Sequence, residues 1–291
     1  MASAEHGPSS YYIPDPSPWP IVAMVSVLSM LLGAALAMNG VGAGKWVILF
    51  GFLLFLYLLF RWFGDVVHEN LTGRYNAQVD RSFRQGMFWF IASEVFFFLS
   101  FFGALFYIRV IALPWLGGAG YLGETNQFLY HGFAPQWPSA GPEQLGGAFQ
   151  PMGAWGIPAI NTLILLTSGA TVTWAHWGLK LNDQRTLVRG LAATIALGVL
   201  FVCLQAFEYH HAYEALNLTL RSGVYGSTFY LLTGFHGMHV TIGAVMLMAI
   251  LGRAIKGHFT PHNHFAFEAV AWYWHFVDVV WLGLFVFVYW L

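Results

Sequence analysis

The sequence has very little charge. Its 291 residues include 12 Lys and Arg and 13 Asp and Glu, which is 9% of the chain, whereas hydrophobic residues make up 58%. Ordinary globular domains carry roughly 25% charged residues. This composition excludes a typical soluble fold and predicts an all-α, polytopic membrane protein. The few basic residues are scattered rather than clustered, so we expect no nucleic-acid partner.

The sequence also has only one cysteine, Cys203, which lies in an apolar stretch. A single thiol excludes an internal disulfide, covalent c-type haem and a thiolate-bridged pair of copper ions, because each needs at least two cysteines. A redox metal in this chain would therefore depend mainly on its 12 histidines. Whether those histidines bind a metal is the main question about function that composition leaves open.

Long hydrophobic stretches are abundant. A membrane-spanning helix needs about 20 apolar residues at roughly 1.5 Å of rise each. Seven stretches of the sequence meet this requirement, namely 20–38, 46–64, 86–113, 157–178, 187–210, 226–252 and 268–290. The predicted fold class is thus all-α with seven transmembrane helices.

The basic residues predict the orientation of these helices. Nine of the 12 follow spans 2, 4 or 6, and three lie on the alternate side. Connections rich in Lys and Arg stay in the cytoplasm. We therefore expect a cytoplasmic N-terminus and an external C-terminus.

Three segments are predicted along the chain. Residues 1–64 contain an N-terminal segment and a two-helix unit, 65–85 form a cytoplasmic loop, and 86–291 form a five-helix bundle. The bundle includes a long outer loop, 114–156, rich in Gly, Pro and aromatic residues. A loop of this length is either functional or a packed cover over a neighbouring element.

Glu94 is the most informative single residue. It lies about eight residues into the third predicted span, roughly 12 Å from the inner boundary, among phenylalanines such as Phe96 and Phe98. Ionising it there would cost several kcal/mol, so we expect it to be neutral. Two interpretations stay open: a proton-exchanging, lipid-adjacent carboxyl that reacts with carbodiimides, or a protonated carboxyl hydrogen-bonded inside the bundle.

Two pairs of polar residues lie within the last two spans. His236 and His239 are three residues apart, as are His275 and Asp278, so each pair occupies one helix face. Either pair could contribute to a metal site, but a metal needs further convergent ligands. We favour structural hydrogen bonding, and we interpret Gly234, Gly237 and Gly243 as a surface for close helix packing.

Other titratable groups lie near the predicted ends of the spans. The inner-surface set, for which we predict proton collection or lipid contact, comprises Asp65, His68, Glu69, His176 and Glu268. His262 and His264, an H-x-H in a short inner loop, are expected to be solvated, with zinc binding there a much less favoured alternative. Glu208 is expected only to anchor the outer end of span 5.

Several strings together resemble one family. They are FIASEVFFF (90–98), INTLILLTSG (160–169), TVTWAH (171–176), LQAFEY (204–209), GVYGSTFY (223–230), TGFHGMHV (233–240) and HNHFAFEAVAWYWHFVDVVW (262–281). The chain is identified through them as similar to subunit III of the haem–copper cytochrome c oxidases.

The resemblance implies a fold and a role. In this family helices 1–2 splay from helices 3–7 around a lipid-filled cleft, and the subunit itself binds no redox metal. Haem and copper belong to the partner subunits I and II, with subunit I the main contact. Bound phospholipids are thought to guide oxygen to subunit I, and the third subunit sustains proton uptake and protects the complex during turnover. Glu94 falls on the family's carbodiimide-reactive glutamate.

The chain departs from the family's pattern at a few positions. Gly64 and His68 stand where relatives often carry basic residues that hold lipid phosphate, so the resemblance does not carry that contact over to this chain. Loop 114–156 is longer than in the mitochondrial relatives, which suggests a bacterial protein of the inner membrane.

Three alternatives stay open. A quinol oxidase has a very similar third subunit, so the electron donor is not readable from this chain. A stand-alone b-type cytochrome would use His236 and His275 as haem ligands. A transporter would use Glu94 and Asp278.

Overall fold

The computed structural model describes residues 12–144 and 146–291, which are helical apart from connecting segments and contain no strand. Seven helical segments are long and apolar enough to cross a membrane, so the predicted fold class is confirmed. Their helices are α1 (Trp19–Met38), α2 (Gly44–Leu71), α3 (Ala77–Phe106), α4 (Ile157–Lys180), α5 (Gln184–Ala215), α6 (Gly223–Ile255) and α7 (Phe265–Leu284). The π-helical segments Tyr107–Ala112 and Phe285–Trp290 continue α3 and α7.

Helix occupies most of the segment predicted to be the cytoplasmic loop 65–85. Helix α2 continues to Leu71 and α3 begins at Ala77, so only residues 72–76 connect them. The prediction placed the helix ends where the apolar residues end. A helix that leaves the hydrocarbon can continue with polar side chains, and hydropathy does not detect that continuation.

The chain divides into two compact units, Met1–Phe83 and Arg84–Leu291. In the described part of the first unit, α1 packs closely against α2. A Cβ atom on Gly33 would lie 2.6 Å from the backbone nitrogen of Ile48, so glycine is needed at this approach. Small residues at such positions are typical of helix pairs in membranes.

The core of the second unit surrounds Trp274 of α7, which is fully buried. Its indole nitrogen donates to the hydroxyl of Ser168 on α4 at 2.9 Å. Cβ atoms on Gly198 of α5 and Gly243 of α6 would lie 2.6 Å and 2.9 Å from the indole ring. Trp274 therefore connects α7 with three other helices.

The predicted glycine surface on α6 is only partly correct. Gly243 makes the close approach to Trp274, whereas a Cβ on Gly234 would meet only the hydroxyl of Tyr209 at 3.8 Å. A Cβ on Gly237 would meet nothing within 4 Å among the described residues. Among the described residues, only Gly243 of these three glycines thus makes a close packing contact.

The long connection between α3 and α4 packs on the end of α5 and the start of α6. Gln150 donates its backbone N–H to Leu216 at 2.9 Å, and Phe149 stacks on Tyr225 with ring centroids 5.4 Å apart. Gly223 has φ +66°, and a Cβ there would overlap the carbonyl oxygen of Ala140, so only glycine fits. These contacts agree with a packed cover, the second interpretation of loop 114–156.

Large apolar side chains cover much of the helix surface. Examples are Leu31, Phe60 and Phe96, each of which is more than 60% exposed in the isolated chain. Such surfaces match a hydrocarbon environment. The single thiol, Cys203 on α5, is also exposed.

Candidate functional site

Glu94 on α3 pairs with His239 on α6. The histidine Nε2 lies 2.9 Å from the Glu94 Oε2, and the histidine Nδ1 lies 2.6 Å from the backbone carbonyl of Phe235. The Glu94 side chain is 22% exposed and the His239 side chain is 8% exposed. The His239 ring packs edge-on against Phe98. Sequence reasoning identified both residues but did not connect them.

The two contacts of His239 determine how many protons the pair holds. A carbonyl oxygen only accepts hydrogen bonds, so Nδ1 carries a hydrogen. In a neutral ring Nε2 then accepts, and Glu94 donates as a carboxylic acid; in a charged ring Nε2 donates to a carboxylate. One proton lies between the residues in both forms, and the pair has no net charge. A neutral pair avoids leaving an unpaired charge in hydrocarbon.

His236 is buried between aromatic rings of other helices. Its Nε2 lies 3.2 Å from the backbone carbonyl of Val277 on α7. The ring packs against Phe201 of α5 and Trp281 of α7, with centroid separations of 5.7 Å and 5.2 Å. His236 and His239 therefore both make contacts between helices, which supports the structural interpretation of this pair.

His275 and Asp278 face α4 but interact weakly with each other. Their Nδ1 and Oδ2 atoms are 3.9 Å apart, which is longer than a hydrogen bond. The His275 Nε2 lies 3.4 Å from the Thr173 hydroxyl, and the Asp278 carboxylate lies against Gly169. The contacts to α4 agree with a structural polar pair, although the two side chains do not form the close pair that their spacing suggested.

Three members of the predicted inner-surface set belong to the first compact unit. Asp65 accepts a hydrogen bond from the Trp19 indole at 2.8 Å, and His68 is exposed near the end of α2. Glu69 accepts bonds from the hydroxyls of Tyr12 at 3.0 Å and Tyr75 at 2.7 Å. Burial, together with the Glu69 carboxylate, raises the pKa of both tyrosines. Glu69 therefore holds neutral phenols at the junction of α2 and α3.

The other two members, His176 and Glu268, meet in the second compact unit. Glu268 Oε1 lies 3.5 Å from the His176 Nε2 and 3.2 Å from the His264 Nε2, and Arg84 donates to Oε2. The expectation that His264 is solvated is wrong, because its side chain is only 9% exposed. It begins α7, and the backbone of residues 260–264 turns its ring inward.

Sequence reasoning missed the importance of Glu208. This residue is 1% exposed, and it accepts a hydrogen bond from the Tyr289 hydroxyl at 2.7 Å, with Gln205 Nε2 at 3.4 Å. The expectation that Glu208 only anchors the end of span 5 is incomplete, because its carboxylate is buried and bonded to Tyr289 in the segment that continues α7. The signal in the sequence was the spacing of Gln205 and Glu208, two polar groups three residues apart on one helix face.

Comparisons with known proteins agree with this architecture. The family model described as cytochrome c oxidase subunit III matches residues 9–120 and 129–291. Proteins named cytochrome c oxidase subunit 3 from Cyprinus carpio, Squalus acanthias and Struthio camelus are each 40% identical to the chain over 286 residues. The matches cover 98% of this chain and 98% of each relative. The chain therefore belongs to the cytochrome c oxidase subunit III family.

Proposed function

We propose that this chain is the non-redox third subunit of a haem–copper cytochrome c oxidase. It contacts mainly subunit I, and also subunit II, which hold the haem and copper. In this role it supports oxygen delivery through bound phospholipids, proton uptake, and the stability of subunit I during turnover. We further propose a bacterial inner-membrane location with a cytoplasmic N-terminus, supported by the distribution of Lys and Arg.

The observation that carries the proposal is the use of the intramembrane histidines as contacts between helices. His239 is bonded to Glu94 and to a backbone carbonyl, and His236 is bonded to the Val277 carbonyl and packed between aromatic rings. Both nitrogens of His239 are bonded within the chain, and the His236 ring is enclosed by Phe201 and Trp281. These contacts support a structural role over that of an axial ligand of a b-type haem. Titratable groups near the inner ends of the helices, such as Glu268 and His176, support a role in proton supply.

Removal of the chain from the native complex tests the proposal. We expect initial oxygen reduction to continue and activity to decay during turnover, faster at higher pH because fewer surface protons are available. Turnover lifetimes would be compared with and without the chain across roughly pH 6.5–8.5, the range of histidine titration. Restoration of the lifetime by the purified chain is the control, and equal lifetimes across this range would contradict the proposal.

Spectra of the isolated chain separate the proposal from its rivals. We expect no visible absorption and no copper, because the redox centres belong to other subunits. A stoichiometric haem band would favour the b-type cytochrome, and solute uptake into vesicles that contain only this chain would favour a transporter. Co-purification with a copper-containing subunit II would identify the electron donor as cytochrome c rather than a quinol.

A further inference from the structure

Three nitrogen and oxygen ligands converge where α4 ends and α7 begins. They come from His176 in the last turns of α4, His264 at the start of α7 and Glu268 in its first turn. Among the residues that the structure describes, this is the one group of three or more His, Cys, Asp or Glu whose ligand atoms all lie within 4.8 Å of one another. All three side chains are partly buried.

The spacing suits a tetrahedral ion. Zinc–nitrogen and zinc–oxygen bonds of about 2.0–2.2 Å place neighbouring ligands about 3.3 Å apart at tetrahedral angles. The Glu268 Oε1 is 3.2 Å from the His264 Nε2 and 3.5 Å from the His176 Nε2. Two of the three separations therefore match a bound ion without movement of the backbone.

The hydrogen bond of His264 points to a cation at this place. Its Nδ1 lies 3.0 Å from the backbone carbonyl of Thr260, so Nδ1 carries the hydrogen and a neutral ring presents a lone pair at Nε2. This Nε2 atom lies 3.2 Å from the Glu268 Oε1. Neither His264 Nε2 nor His176 Nε2 has a hydrogen-bond partner among the described residues. Histidines that bind a metal through one ring nitrogen usually donate the N–H of the other to a backbone carbonyl, a carboxylate or water.

Arg84 affects the site in two ways. It donates to the Glu268 Oε2, which fixes the carboxylate and directs Oε1 towards the histidines. Its charge, with that of Lys180 one turn beyond His176, also weakens the binding of hard, oxygen-preferring cations. Two imidazoles and one carboxylate instead suit a transition ion.

We propose that His176, His264 and Glu268 bind one Zn²⁺-class ion, with the fourth position open to water. The proposal does not depend on the role assigned to the chain in respiration. It concerns a metal site near the ends of α4 and α7, apart from the haem and copper of the partner subunits.

Zinc binding by the full-length chain, purified in detergent and depleted of metal, tests this proposal. We expect one Zn²⁺ per chain by competition with a chromophoric chelator. His176→Gln and His264→Gln should each weaken zinc binding by at least about 100-fold. Loss of a residue that only orients a metal ligand weakens binding by at most about 100-fold, so a larger effect indicates direct coordination. The exposed neighbour His262 is the matched control, and His262→Gln should bind zinc like the unchanged chain.

A second measurement keeps the test decisive if a variant fails to fold. X-ray absorption of the zinc-loaded, unsubstituted chain should show two imidazoles and oxygen ligands in the first shell. A different first shell, equal binding by the folded double variant His176→Gln/His264→Gln, or no zinc binding by the folded unsubstituted chain would each overturn the proposal. In the last case a proton, rather than a metal ion, would lie between the histidines and the carboxylate.

Discussion

The Glu94 carboxyl and the His239 imidazole, from α3 and α6, are 2.9 Å apart and hold one proton between them. This relationship combines the two interpretations of Glu94 that the sequence left open. The residue is hydrogen-bonded within the bundle, yet 22% of its side chain stays exposed and within reach of a small reagent.

We predict that carbodiimides label Glu94 faster than Asp65 or Glu268. These reagents attack the protonated acid, which is one of the two forms of the Glu94–His239 pair. Asp65 accepts a hydrogen bond from the Trp19 indole and Glu268 accepts one from Arg84, so neither of these contacts requires a protonated carboxyl. Peptide mass spectrometry after limited labelling would measure the three rates.

The variant Glu94→Gln should abolish this labelling while leaving assembly and oxygen reduction largely intact. Glutamine retains the size of the side chain and its capacity to hydrogen-bond to His239. Loss of oxygen reduction in a fully assembled Glu94→Gln complex would show a direct role in catalysis and contradict the structural assignment.

The bond between Glu208 and Tyr289 should contribute measurably to stability. Tyr289→Phe removes the 2.7 Å donor and leaves a buried carboxyl with a weaker partner. We expect the free energy of unfolding to fall by about 1–3 kcal/mol, measured by thermal or denaturant unfolding in detergent. Tyr213→Phe, at a tyrosine that is 46% exposed, is the control, and an equal effect of both substitutions would argue against the bond.

The packing around Trp274 predicts different outcomes for two glycine substitutions. Gly198→Ala would place a Cβ 2.6 Å from the indole ring, and such overpacking costs about 1–3 kcal/mol. Gly237→Ala meets no described atom within 4 Å and should be neutral or stabilising by up to about 1 kcal/mol, because alanine favours helix. Unfolding of the two purified variants, side by side, would measure the difference; similar stabilities would contradict this account of the core.

Asp183 should make the stability of α5 depend on pH. The Asp183 carboxylate accepts hydrogen bonds from the hydroxyl and backbone N–H of Thr186 and from the backbone N–H of Arg185. These bonds lower the pKa of Asp183. A carboxyl whose pKa is lowered on folding stabilises the protein above its unfolded pKa of about 3.9, and this contribution is lost as pH falls through the folded value. Melting temperatures measured across acidic pH should fall less steeply for Asp183→Asn, which retains a capping oxygen. Identical pH profiles would show that the cap carries no such dependence.

The number of membrane helices was predictable because apolar length is a local property of the sequence. Helix ends were less predictable, since residues such as His68 and Glu69 continue α2 with polar side chains. The contact of Glu208 was not predictable for another reason, since its partner Tyr289 lies 81 residues further along the chain.

The partners of the polar groups could not be predicted from spacing. Glu94 and His239 are 145 residues apart, and the rotation of α3 and α6 about their axes determines whether they meet. Likewise, the inward direction of His264 depends on backbone hydrogen bonds between Thr260 and Asn263. Periodicity identifies the face of a helix on which a residue lies, but packing determines which other helix that face contacts.

The exposed thiol of Cys203 has a practical consequence for studies of assembly. It is the one cysteine of the chain, so a nitroxide or fluorophore attached through sulfur would report from one position of α5 without substitution of any other residue. Comparison of its accessibility in the free chain and in the complete complex would reveal whether that side of α5 faces lipid or another subunit.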